Sequence, residues 1–330
     1  MHAASSPGEF FRIAGRSLFS TLPLAQLASN TGPADLSFTL SDGPIPSGVL
    51  VRRFTAQEGV WLDVEQGHDQ LLFRFPGMAV FTLERSSGHI VGYMNPDTQG
   101  HTLRHLLLDQ VVPLTLVSQG EFVLHASGVA VPTEDGSRAV LFIGESGAGK
   151  SSVAVGCSLA GAELLADDFV VVHTHNRAAT AVPAGVGLRL FDDVAELLDC
   201  PSAYPTVAQY THKKRILDPP YLRQLQEPVP IGAVVYLQPR LEAGAAPQVE
   251  PLAPAESLMK GVEHAFRLDL SNVHSHQELL EHAGRLADSV PWWRVSLPDD
   301  VSSLVSACQQ LVSHVVRRIS DKPVLPTSLR

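Results

Sequence analysis

Along the first third of the chain, apolar and polar residues alternate with the two-residue period of half-buried strands. The runs are Ser37–Leu40, Gly48–Phe54, Val60–Val64, Leu71–Phe75 and Ala79–Leu83, and the turn Ser86-Ser87-Gly88 leads into Ile90–Met94. They predict a small antiparallel sheet. The period then changes. Leu103, Leu106, Leu107, Val111 and Leu114 recur at helical spacing over His101–Val117, where Pro113 is expected to kink or end the helix.

A second pattern begins at Glu121. Phe122–Val131 and Ala139–Ile143 read as strands, joined by Thr133-Glu134-Asp135-Gly136-Ser137, whose Asp-Gly marks a hairpin. The second strand enters a Gly-rich loop and then a helical stretch, Ser151–Ala160, stopped by Gly161. Two apolar runs follow, Glu163–Ala166 and Phe169–Val172, split by Asp167 and Asp168, and Ile231–Leu237 reads as a buried strand. Two later helices are expected. Ala255–Phe266 places Leu258, Met259, Val262, Ala265 and Phe266 on one face; Asp299–Val316 carries a stripe of Val301, Leu304, Val305, Cys308, Leu311, Val312 and Val315. The end from Arg317, with Pro323 and Pro326, is expected to fray. The pattern divides the chain into a β-rich domain with its connecting helix over 1–118, a second domain over 119–317 and a tail over 318–330.

Composition narrows the class. Of 330 residues, 45% are hydrophobic and 18% charged, the balance of a soluble globular protein. A net charge of -10 repels phosphate backbones, so no nucleic-acid partner is expected. Cys157, Cys200 and Cys308 are too few and too scattered for a disulfide framework or a four-ligand zinc site. The start, Met-His-Ala-Ala-Ser-Ser-Pro-Gly-Glu, lacks a basic-then-apolar leader, and Leu106–Val117 is too short and too polar to cross a bilayer. A cytoplasmic protein without membrane association is expected.

The chemistry concentrates in Gly144-Glu145-Ser146-Gly147-Ala148-Gly149-Lys150-Ser151, a G-x-x-x-x-G-K-[ST] loop between a strand and a helix, followed by Ser152. A chance match in a chain of this size is about a one-in-a-hundred event at average residue usage. Gly147 and Gly149 can turn successive main-chain N–H groups inward as an anion nest, and the helix behind adds its partial positive charge. Lys150, one of five lysines in the chain, suits the β- and γ-phosphates, and the Ser151 hydroxyl suits Mg²⁺. Asp167 and Asp168, adjacent carboxylates in an apolar stretch, are costly unless they meet a cation. A nucleotide's magnesium is such a cation: one carboxylate can hold the metal while the other takes the acceptor's proton. His125, at the end of Phe122-Val123-Leu124, has no role by spacing alone. His274, His276 and His282 cluster, but their spacing fits no helical metal pair.

Leu124-His125-Ala126-Ser127-Gly128-Val129-Ala130-Val131, the phosphate loop and Leu165-Ala166-Asp167-Asp168, in that order, resemble the bacterial HPr kinase/phosphorylase family. They are most similar to its relatives, the HPr-kinase-like serine kinases of lasso-peptide and other modified-peptide pathways. The resemblance is good over Glu121–Val172 and looser beyond. It implies an α/β fold with a P-loop kinase domain of the phosphoenolpyruvate-carboxykinase-like type after the β-rich start. It further implies ATP with Mg²⁺, a peptide or small-protein serine as acceptor, and a tendency to form homo-oligomers. By the same resemblance Asp167 is the base, Asp168 assists metal and charge placement, and His125 organises the site. Arg189, Lys214 and Arg215 are candidate phosphate contacts. The family's Glu-x-Arg-Gly element has no counterpart, since Val182–Arg189 contains no Glu. A kinase of a small hydroxylated metabolite and a nucleotide-gated regulatory protein are the alternative readings.

Overall fold

In the computed structural model the fold is mixed α/β with two large sheets. The structure describes residues 8–25, 27–56, 59–175, 178–196, 206–216, 225–268 and 273–320, with backbone alone for 214–216, 273 and 320.

The first sheet comprises β1 (Glu9–Ile13), β2 (Arg16–Ser20), β3 (Ala28–Ser29), β4 (Leu36–Leu40), β5 (Val49–Ala56), β6 (Gly59–Gln66), β7 (Gln70–Phe75), β8 (Ala79–Glu84) and β9 (His89–Met94). Their order is β3-β1-β2-β4-β9-β8-β7-β6-β5. From β5 to β9 the strands form the expected antiparallel meander. The sheet is neither small nor purely antiparallel, however. β1 and β2 extend it, and β4 pairs in parallel with both β2 and β9. Apolar Phe10-Phe11 and Leu18-Phe19 flank the turn at Ala14-Gly15, where both residues have positive φ. That hairpin was not anticipated from the sequence.

The helix after β9 is continuous through Pro113. It runs as α1 (Gly100–Leu106), a π-turn (Leu107–Val111) and α2 (Val112–Ser118). Pro113 falls in the first turn of α2, where its missing N–H costs least, and the π-turn absorbs the change of register.

The second sheet contains β10 (Val123–Leu124), β11 (Ser127–Thr133), β12 (Gly136–Ile143), β13 (Glu163–Ala166), β14 (Val170–His175), β15 (Ala178–Val182), β18 (Val229–Leu237), β19 (Gln248–Pro251) and β20 (Trp292–Ser296). Between them lie α3 (Lys150–Leu159), the paired β16 (Leu188–Leu190) and β17 (Lys214–Ile216), α4 (Asp192–Glu196), α5 (Pro254–Glu263) and α6 (Val273–Ser289); α7 (Leu304–Ser320) closes the fold. The path runs β10-β14-β15-β18-β12-β11-β13, with β20 on β18 and β19 on β20. The run Phe122–Val131 is two strands, broken at His125-Ala126.

One hydrophobic cluster runs from the first sheet through α1 and α2 to one face of the second sheet; another fills the opposite face under α3 and α7. Cys157 and Cys308 are buried in the second cluster. A Cβ on Gly156 would lie 2.6 Å from Cys308 Sγ, so α3 and α7 touch only because that residue is glycine. Three helical expectations change. Met259 is exposed on α5, where Ser257 and Gly261 are the buried residues. α6 spans the histidine-rich stretch, and α7 continues to Ser320, past the point expected to fray. Cys200 lies outside the described residues. Among those described, no helix is long and apolar enough to cross a membrane.

Candidate active site

The phosphate loop follows from its glycines. Gly144, Gly147 and Gly149 have φ of 152°, 85° and 88°, a left-handed series that L side chains resist. Gly149 precedes the first residue of α3, so the helix's free N–H groups open into the cavity. Lys150 Nζ folds back onto the loop, donating to the carbonyls of Gly144 at 2.8 Å and Glu145 at 3.1 Å. Burial pulls its pKa down to about 8, an effect Asp167 partly opposes.

Asp167 lies behind Ser151, outside the lining of the adjoining cavity, and is 1% exposed. Its Oδ1 accepts from the hydroxyls of Ser127 and Ser151, both at 2.7 Å, and its Oδ2 accepts from the Arg189 N–H at 2.9 Å. Three donors from three elements thus hold one buried carboxylate. Asp168 points differently. Its φ of +69° is a left-handed conformation that costs a non-glycine residue roughly 1–2 kcal/mol. Two contacts hold it there: an ion pair from Asp168 Oδ2 to Arg189 Nη2, and a 2.8 Å bond from His125 Nδ1 to the Asp168 carbonyl. Because a carbonyl only accepts, Nδ1 carries the proton. Desolvation, reinforced by Lys150 and Arg189, pushes the His125 pKa down to about 3, so the ring is neutral.

Arg189, 3% exposed, links three carboxylates. Besides Asp168 it lies 3.9 Å from Asp167 Oδ2 and 3.5 Å from Asp109 Oδ2. Asp109 comes from the π-turn, is fully buried and pairs with His105 Nδ1 at 2.5 Å. A signal for Asp109 existed, since a carboxylate inside the apolar run Leu106–Val117 demands a partner.

The resulting cavity of about 370 Å³ is lined by Gly147, Lys150, Ser151, Asp168, Arg189 and Lys213, among others. Ser146, Ser152 and His125 also reach it. Burial and repulsion from Arg189 lower the Lys213 pKa. Of the expected site, Glu145 and Ala148 contribute main chain; the Glu145 side chain is exposed and Ala148 packs into the core beneath. β17 pairs with β16, setting the Arg215 backbone opposite Arg189, but the side chains of Lys214 and Arg215 lie outside the described residues.

Two further features had no sequence signal. The Arg240 guanidinium lies against Gly149, where an added Cβ would meet its Nη2 at 1.9 Å. Glu145, Glu263 and His264 bring ligand-type atoms within 4.8 Å of one another beside the loop, with Glu263 already paired to Lys260 at 2.7 Å. His274, His276 and His282 form no such group among the described residues.

The donor types beside the cavity fit magnesium. Ser151 Oγ, which lines the cavity, and Asp167 Oδ1 are hard oxygens 2.7 Å apart at the start of α3.

No protein-family model matches the chain, and no curated protein matches it. Solved structures do match. One is the Hpr(Ser) kinase/phosphatase from Coxiella burnetii, 14% identical, with the match covering 60% of this chain and 98% of that one at a TM-score of 0.29. At that score the likeness carries no weight, and the functional reading rests on the site itself.

Proposed function

We propose that this protein is a magnesium-dependent kinase that transfers the γ-phosphoryl group of ATP to a serine hydroxyl of a peptide or small protein. One arrangement carries the reading: the glycine loop with Lys150 shares one cavity with Asp168, while the buried Asp167 lies behind Ser151, hydrogen-bonded to it. The main-chain N–H groups of the loop and the start of α3 bind the β- and γ-phosphates, and Lys150 neutralises their charge. Ser151 and Asp167 are the residues that would hold Mg²⁺, which supplies further charge neutralisation between the two phosphates.

Burial supports exchanging the two aspartate roles that the family resemblance implies. Asp167 is saturated by Ser127, Ser151 and Arg189 and is suited to holding. Asp168 lines the cavity and is suited to accepting the proton of the incoming hydroxyl. The hydroxyl oxygen attacks the γ-phosphorus as Asp168 takes its proton. The bond from that phosphorus to the bridging oxygen breaks, and its electron pair leaves with the nucleoside diphosphate. Arg189 steadies the transferred group, and neutral His125 fixes the backbone of Asp168. In this reading residues 119–317 perform the transfer and residues 1–118 contribute to acceptor recognition.

The test is incubation with γ-labelled ATP, Mg²⁺ and peptides encoded beside the gene. Label on a serine is expected. Tight ATP binding with no transfer would leave a nucleotide-gated regulatory protein, and transfer to free serine or a sugar alone would point to a metabolite kinase.

A further inference from the structure

Beside the phosphate cavity lies a second cavity of about 360 Å³, formed between the first sheet and the segment that follows α5. The two share Trp61, Gln110 and His125 as a common wall. The character of the second differs sharply from the first. Its walls are chiefly Phe54, Trp61, Leu62, Leu114 and Phe266. Leu62 and Leu114 are buried, while Phe54, Trp61 and Phe266 keep part of their rings uncovered against the core. Arg52 stacks its guanidinium 4.2 Å from the Phe54 ring centre and reaches the Arg267 carbonyl at 3.5 Å, joining the two sides of the mouth. Phe266 meets His125 edge-on at 5.9 Å, so one aromatic wall ends at the residue that holds Asp168.

Resting on the kinase reading, we infer that this cavity selects the acceptor: it takes a large apolar side chain next to the phosphorylated serine in a peptide. The physical case has three parts. The cavity shares Trp61, Gln110 and His125 with the phosphate cavity, so a side chain held in it lies within a residue or two of the attacking hydroxyl. The aromatic and aliphatic side chains in its lining, Phe54, Trp61, Leu62, Leu114 and Phe266, reward burial of an aliphatic or aromatic group. Its volume, about 360 Å³, is close to the 370 Å³ of the phosphate cavity and far more than a free serine fills.

The experiment measures binding and transfer separately, using capped heptapeptides with a central serine flanked by Leu or Phe in one set and by Asp or Gly in the other. Calorimetry in the presence of Mg²⁺ and a non-hydrolysable ATP analogue reads binding. Apolar-flanked peptides should bind about tenfold tighter or more, the equivalent of burying part of one side chain. Phe54→Ala should collapse that preference while leaving nucleotide affinity unmoved, and Phe54→Tyr should largely retain it. Equal binding of the two sets, or a preference that survives Phe54→Ala, overturns the inference. Selective binding without transfer keeps the cavity and removes the kinase reading. Equal binding and transfer for both sets keeps the kinase and removes the cavity's role.

Discussion

Ser151 donates a 2.7 Å hydrogen bond to Asp167 Oδ1, tying the first turn of α3 to the end of β13. The same carboxylate oxygen accepts from Ser127 on β11 at the same distance. Neighbouring sheet elements and the phosphate-loop helix therefore converge on one buried charge. Its position is set before any ligand arrives, which is what preorganised electrostatic catalysis requires.

The unequal surroundings of the two aspartates predict unequal variants. Asp168→Asn should lower phosphoryl transfer by about 10²–10⁴-fold, the usual reach of a general base, with ATP still bound. Asp167→Asn should weaken Mg²⁺-ATP binding by about 10–100-fold, because the carboxylate bonded to Ser151 loses its charge. Titration calorimetry alongside single-turnover transfer separates the two effects. The reverse pattern would restore the roles implied by the family resemblance.

Gly149 and Arg240 should be coupled. Gly149→Ala forces a Cβ into positive φ and against the Arg240 guanidinium, so nucleotide affinity should fall steeply. Adding Arg240→Ala removes the collision but not the backbone strain, so part of the affinity should return. Gly147→Ala, with nothing within 4 Å of the added carbon, should cost only the strain, about 1–2 kcal/mol. Strict additivity of Gly149→Ala and Arg240→Ala in nucleotide-binding assays would contradict this.

Asp109 is fully buried between His105 and Arg189. Asp109→Leu removes one of the three carboxylates around the buried Arg189 guanidinium and the partner of His105 Nδ1, and should destabilise the fold by about 1–3 kcal/mol. Equilibrium denaturation reads the effect, and an unchanged midpoint would show that Arg189 is held well enough by Asp167 and Asp168 alone.

Acid should weaken the fold partly through His282, whose ring stacks on Phe122 with centres 5.6 Å apart. Burial, aided by Arg285, lowers its pKa below the ordinary 6.5. The unfolded chain thus binds this proton more readily than the folded one. The histidine's contribution is fully present above pH 6.5 and is lost as pH falls through 6.5 towards the folded pKa. Thermal midpoints should drop between about pH 7.5 and 5.5, and His282→Gln should make that drop shallower. A slope identical to the parent's would rule His282 out.

Local periodicity made much of the fold readable. Strands β5 to β9 lie where the alternating runs put them, although β7 and β8 are buried on both faces; α3 follows its glycine-rich entry, and α7 follows its apolar stripe. β1 and β2 were missed because their aromatic pairs lie in a short polar stretch with no clean period. α6 was missed because its packed side mixes Ala283 and Leu286 with the half-buried His276 and His282, so no apolar stripe of helical period stands out in the sequence. Pro113 does not end its helix, because the π-turn just before it relieves the clash that a regular helix would suffer.

For the site the division is similar. By itself the sequence singled out the glycine loop, Lys150, Ser151 and the acidic pair as candidates, since a glycine-rich turn into a helix start is contiguous in the chain. Only the tertiary structure decided which aspartate is buried and which faces the cavity, because that depends on Ser127, Arg189 and His125 arriving from separate elements. Asp109, Arg240 and the apolar cavity beside the phosphate site were decided there too. Their proximity comes from sheet packing across long chain separations, and no local spacing in the sequence encodes it.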